Sequence, residues 1–218
     1  GWVSIKKQLD NKDLRLIQES LDVFFHKYTK FNFNKSVIYL NRKNKKKLYD
    51  LDMIANKCLS LNIFSKIFEK TLKILNGSRY PVIQVLTGFM LGMPKDKRLV
   101  YDFHQEVNYS RNYDDLVSVH FPLFYKASIK NGTMSALNKS HKLGLLNFDK
   151  IRSSRISYTT LLPKNIKKIS NKFEEIFFEL ELGDVLYFHK NLIHKSNFNA
   201  SNKCKPVGII RLTQNFSY

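Results

Sequence analysis

The 218 residues carry 37 Lys+Arg against 18 Asp+Glu, a formal charge of +19, and 43 % of them are hydrophobic. That length buries a real core within one domain, and the charge draws an anionic partner by long-range attraction. Two cysteines, Cys58 and Cys204, exclude a disulfide framework and a CxxC-type zinc site. No apolar run approaches the ~20 residues of a membrane helix and no signal-peptide core is visible, so a reducing cytoplasm is the default compartment. The leading GWVSIKK reads as a processed or tag-derived end that says nothing about targeting.

Along the chain, Leu14, Ile17, Leu21, Phe24, Phe25 and Tyr28 recur at three- and four-residue steps, which predicts an amphipathic helix from Asn11 or Asp13 to about Lys30. SVIYLN (36–41) reads as a short strand. A second helical block follows over about 47–76, broken near 60–62 and stopped by Gly77. After Pro81 the period shortens towards two, and strands are expected at 82–91, 98–105, 115–121, 133–138, 174–179, 184–188 and 206–215, with turns at MPKDK, KNGT and LGD. Residues 139–173 are a polar excursion with little periodicity, long enough to suggest a lid or substrate loop. The expectation is one α+β domain over 1–218: a mainly helical portion (1–80) packed on a jelly-roll-like barrel (81–218).

The chemistry concentrates in YDFHQEVNYS (101–110). On a strand, His104 and Glu106 would share a face with Cα atoms about 6.5–7 Å apart, close enough to close on one ion. A carboxylate buried there without a partner is costly, and a divalent metal removes the cost. A His–Glu hydrogen-bonded couple is the competing reading. GDVLYFHKNLIH (183–194) ends a second apolar segment in His194, a candidate third ligand. Two histidines and one carboxylate leave three octahedral positions open, which suits non-haem Fe(II) better than zinc, for which no HExxH spacing exists.

Three blocks in order, FHQE with Tyr109 beyond it, NGTMSALNKSHKLG (131–144) and GDVLYFHKNLIHKSNFNASNKCK (183–205), resemble the phytanoyl-CoA dioxygenase family of Fe(II)- and 2-oxoglutarate-dependent oxygenases. The resemblance implies a double-stranded β-helix and iron ligands His104, Glu106 and His194. It further implies that Ser196 and the basic residue eleven positions after His194 hold the far carboxylate of 2-oxoglutarate, with O2 as the other cosubstrate. Two departures stand out. Glu106 replaces the usual Asp, and Lys205 replaces the usual Arg and lacks its bidentate fork, so the anchor is Lys205 or, failing that, Arg211 on the last strand. Tyr109, His120 and His141 are expected near substrate or cosubstrate. Arg152, Arg155, Lys164, Lys167 and Lys168 of the excursion are expected to grip an anionic small molecule or close over it.

The activity implied is hydroxylation of an unactivated C–H bond of a small anionic metabolite or biosynthetic intermediate. A binding protein of the same fold without turnover is the alternative. A polynucleotide-directed oxygenase is the lesser expectation, since the basic residues are not interleaved with a nucleic-acid motif, and it would bind with a steep salt dependence.

Overall fold

The computed structural model describes residues 1–57, 83–97, 100–109, 116–152 and 159–213, with side chains beyond the backbone from residue 88 onward in the second of these stretches. The chain opens with β1 (Trp2–Ile5), followed by helices α1 (Asn11–Thr29) and α2 (Phe33–Lys43). Residues 45–57 form a further helix, α3. Strands β2 (Ile83–Gly92), β3 (Val117–Pro122), β4 (Ser135–Leu137), β5 (Phe148–Arg152) and β6 (Thr159–Pro163) come next. A one-turn helix, α4 (Ile166–Ser170), precedes β7 (Glu175–Phe177), β8 (Val185–His189), β9 (His194–Lys195) and β10 (Lys205–Thr213).

Helix α1 starts where Asp10 accepts the Asp13 amide and ends at Lys30 in the left-handed region. It buries Leu14, Ile17, Leu21 and Phe25, as the apolar spacing requires. SVIYLN, expected as a strand, lies within α2 instead. Asn32 caps that helix, and Phe33, Val37 and Leu40 form a buried stripe at helical spacing, which overrides the local β preference of Val37 and Ile38. The Phe25 and Phe33 rings meet edge to face at 5.1 Å, locking α1 on α2.

Five antiparallel strands in the order β1-β8-β3-β10-β2 make the major sheet, β7-β4-β9 the smaller one, and β5 with β6 a separate hairpin. Alternation along the major sheet divides its two faces. Val119, Phe121, Val185, Tyr187, Ile210 and Leu212 pack against the helices in one core. Their neighbours Ser118, His120, Phe188, Ile209 and Arg211 turn to the opposite face, where they line a cavity. The smaller sheet closes the other side through Met134 and Ala136, packed with Leu186 and Phe188.

The double-stranded β-helix expected from the three sequence blocks is therefore present, with three local corrections. GWVSIKK supplies an edge strand, β1, paired with β8. Residues 100–105, within the strand expected at 98–105, form no strand, and only an isolated bridge joins His104 to His194. The excursion holds the β5–β6 hairpin and α4, and the helical stop at Gly77 lies outside the described residues, as does Cys58. Among the described residues no helix is long and apolar enough to cross a membrane. Cys204 is buried and free.

Candidate metal centre and cosubstrate cavity

His104 and His194 are brought together by the backbone. Each donates its amide to the other's carbonyl, at 2.9 and 3.1 Å, in one antiparallel bridge. The two rings lie 4.2 Å apart between centroids. Glu106 reaches the same point by a different route from the one expected: it opens a 3-10 turn, Glu106–Asn108, directly after the bridge, and the turn swings its carboxylate towards both rings. Oε1 lies 3.5 Å from His104 Nε2 and 3.4 Å from His194 Nε2.

The other ring nitrogens fix the tautomers. His104 Nδ1 is 2.7 Å from the Asp102 carbonyl and His194 Nδ1 is 2.9 Å from the Leu192 carbonyl. A carbonyl only accepts, so each Nδ1 carries a proton, and Nε2 is the atom each ring would offer to a metal. The three donor atoms fall within 4.8 Å of one another, all on buried residues. Cis ligands at bond lengths of about 2.1 Å stand about 3 Å apart, so Oε1 and each Nε2, now 3.4–3.5 Å apart, would draw together to close on one divalent ion.

Burial would raise the Glu106 pKa, but contacts with His104, His194 and Arg211 hold it well below the carboxylate range. Burial and the neighbouring His104 lower that of His194. Both effects favour the forms a metal requires, carboxylate and neutral imidazole.

Gln105, between the ligands, carries a positioning role that the sequence reading missed. Fully buried, it donates to the Gly144 and Asn191 carbonyls at 2.9 and 2.8 Å and accepts the Leu146 amide at 3.0 Å. It thereby rivets the ligand loop to the SHKLG segment and to the turn before His194. Ser140, in the same segment, accepts the Ile193 amide at 2.9 Å. A polar residue flanked by two ligands and pointing away from them was the only available signal. Gln105→Leu strands two carbonyls and an amide, and is expected to cost about 2–3 kcal/mol of stability and to weaken metal binding about tenfold or more, measured by denaturant unfolding and Co(II) titration.

The donors open onto a cavity of about 440 Å³ walled by Met90, Met134, Phe188 and Ile209, with Tyr101 and Tyr109 also lining it. Tyr109 stands edge-on to the His104 ring, and its hydroxyl accepts the Leu161 amide at 3.0 Å, tying the β5–β6 hairpin to the ligand loop. Met90, His120, Met134 and Ser196 also line a second, smaller space of about 50 Å³ at whose wall Lys205 sits. Lys205 is buried, donates to the Gly132 carbonyl, and burial lowers its pKa to about 8. Gly132 lets the 197–199 backbone pack against its own: its φ is +76°, and a Cβ there would stand 2.4 Å from the Asn197 carbonyl oxygen. Asn199 shapes the loop before Lys205, donating to the Gly92 and Lys203 carbonyls. His120 is half-buried on the cavity wall, and burial first, then the Lys205 cation, press its pKa down to about 3, so it is neutral at physiological pH.

Of the residues singled out in the sequence, His104, Glu106, His194, Ser196, Tyr109, His120 and Arg211 line the larger cavity. Lys205 lines the smaller one. Arg211 does not stand beside Lys205: its guanidinium ion-pairs with Oε2 of Glu106. His141 lines neither cavity and faces His189 at 5.8 Å. Lys164 and Lys168 line a separate groove with Leu146, Ile169 and Phe173, Arg152 and Lys167 line neither cavity, and Arg155 lies outside the described residues.

The profile of the phytanoyl-CoA dioxygenase (PhyH) family matches residues 23–207, most of the chain and the stretch that holds all three candidate ligands. The chain belongs to that family. Its enzyme class is accordingly that of the 2-oxoglutarate-dependent dioxygenases. No curated protein matches it by sequence. Among solved structures it is similar to AviO1 from Streptomyces viridochromogenes Tue57, with a TM-score of 0.61 at 14 % identity over 100 % of this chain and 91 % of that one. It is similar also to the epimerase SnoN, in complex with Fe3+, alpha-ketoglutarate and nogalamycin RO, at 0.61 and 13 % over 98 % and 79 %. EctD from S. alaskensis, with 2-oxoglutarate and 5-hydroxyectoine, matches at 0.61 and 12 % over 98 % and 72 %. At these identities the structural likeness speaks for the fold.

Proposed function

We propose that this member of the family hydroxylates an unactivated C–H bond of a small anionic metabolite or biosynthetic intermediate, with Fe(II) on His104, Glu106 and His194 and 2-oxoglutarate between that ion and Lys205. The observation that carries the reading is the pair of Nδ1–H to carbonyl contacts, which leaves two Nε2 atoms and one carboxylate oxygen converging on a single point. When bound, the iron and 2-oxoglutarate supply the oxidising chemistry with O2, and 2-oxoglutarate leaves as succinate and CO2.

The chain's own residues bind, orient and exclude water. Lys205 offers a buried cation to the far carboxylate and Ser196 a hydroxyl where the two spaces meet. Neutral His120 adds hydrogen bonding without charge. Met90, Met134, Phe188 and Ile209 keep the reacting region apolar. A volume of about 440 Å³ suits a small molecule. The anionic character of the substrate rests on the formal charge of +19.

Anaerobically Fe(II)-loaded protein exposed to O2 with 2-oxoglutarate is expected to form succinate slowly even without substrate. His104→Ala is expected to form none. Failure of the wild-type protein to bind either Fe(II) or 2-oxoglutarate would replace this reading with the non-catalytic binding protein.

A further inference from the structure

The two oxygens of Glu106 have different partners. Oε1 lies within 3.5 Å of both imidazoles, while Oε2 ion-pairs with Arg211. Arg211 stands on the cavity face of β10, directly opposite Ser118 of β3, where the ladder between β10 and β2 shifts register. The sheet sets the position of its backbone, and from there the guanidinium reaches the carboxylate. The ion pair runs from Nη2, while Nε has no hydrogen-bond partner among the described residues, so the half-buried guanidinium meets the carboxylate through one nitrogen.

Glutamate has one methylene more than the aspartate usual at this position, and the extra torsion frees the carboxylate to rotate and chelate through both oxygens. Chelation would consume one of the three positions that two histidines and a one-oxygen carboxylate leave on an octahedral ion. Two of those positions are needed for a keto acid and one for oxygen. Building on the metal-site reading above, we infer that Arg211 is a positioning residue that holds Oε2 of Glu106 back, so that the glutamate ligates through Oε1 alone and all three positions stay open. Arg211 thus offsets the exchange of Asp for Glu in this chain, with a cation that stays charged at every working pH. The second departure, Lys205, lies six residues away at the other end of the same strand face, so the two cations serve different ends of the site.

The test uses Co(II)-loaded full-length protein, with the d–d absorption of the ion and the affinities for 2-oxoglutarate and for oxalate as readouts. Oxalate chelates the metal but has no far carboxylate. In Arg211→Gln, Co(II) is expected to remain bound with an altered d–d spectrum, and both affinities are expected to fall about tenfold or more. Arg211→Lys, which keeps the charge but not the fork, is expected to fall between, and thermal unfolding of each variant reports whether the fold is intact. Lys205→Ala serves as the contrast and is expected to lose 2-oxoglutarate while keeping oxalate. Loss of 2-oxoglutarate alone in Arg211→Gln would make Arg211 a second anchor and overturn the inference. An unchanged spectrum with unchanged affinities would overturn it too, as would loss of Co(II) itself. If the wild-type protein took up no Co(II), the metal-site reading would fall and this inference with it, so the two failures are distinguishable.

Discussion

Glu106→Gln is expected to abolish Co(II) binding and succinate formation together, and to lower the stability of the metal-free protein by about 3 kcal/mol. The substitution conserves volume and removes charge, so it isolates electrostatics from packing. Two losses follow from the same atom set. The metal loses its only anionic donor, because both histidines bind as neutral imidazoles. Arg211, meanwhile, loses the partner of its Nη2 in a site where its side chain is 19 % exposed and that of Glu106 is 6 % exposed. An uncompensated cation in that setting costs several kcal/mol, and the residual exposure of Arg211 keeps the figure at the low end of the range for broken buried pairs. Adding Arg211→Met should then recover part of the stability, because an apolar side chain replaces the uncompensated cation, while metal binding stays lost. Chemical denaturation of the two variants beside wild type, with Co(II) titration of each, checks both halves. A Glu106→Gln protein as stable as wild type would mean that the Glu106–Arg211 pair contributes little to the fold.

What the sequence could and could not tell divides by the range of the interactions involved. Helix α1 was readable because its apolar stripe is local, and six of the seven strands expected after Pro81 stand close to where the period-two pattern placed them. The run Ser36–Asn41 misled because Val37, Ile38 and Tyr39 favour strands locally, whereas the burial of Phe33, Val37 and Leu40 against α1 decides the matter from outside the segment. Spacing identified the residues His104 and Glu106 but misstated their geometry: a turn, not a strand, brings them to one point. His194 was readable from the block it terminates. The partners that aim these ligands were not. The Asp102 and Leu192 carbonyls carry no side-chain signature, and the contacts of Gln105 and Arg211 depend on residues 39–105 positions distant. Single-chain patterns report periodicity and chemical type, while cross-chain contacts of this kind are set only once the two sheets have closed.

Lys205→Met should make the protein more stable and less able to bind its cosubstrate. A lysine whose pKa falls from 10.5 to about 8 on folding holds its proton less well in the native state than in the unfolded chain. Between pH 8 and 10.5 the unfolded chain binds more protons, so stability rises with pH through that window, and below it the cost of the buried ammonium is fully in place. At 1.36 kcal/mol per pH unit the cost near neutrality is about 3 kcal/mol, an upper bound on what methionine regains. Methionine fills the same stem volume and leaves only the Gly132 carbonyl to find another donor, which subtracts about 1 kcal/mol. The far carboxylate of 2-oxoglutarate, by contrast, loses a charge-assisted contact, and its affinity is expected to fall by about 10- to 100-fold with Co(II) binding unchanged. The same lysine predicts a pH dependence in the wild-type protein. As pH rises through about 8 the anchor loses its charge, so 2-oxoglutarate affinity should decline by up to about tenfold per pH unit, whereas Lys205→Met should show a flat profile over the same range. Calorimetric titration of the Co(II)-loaded proteins from pH 6.5 to 9.5 would separate the two, those limits being set about 1.5 units either side of the lysine's value. A wild-type affinity that stayed constant across that range would remove Lys205 as the anchor. The stability gained by its removal would then mark it as a charge buried for some other end of the cavity.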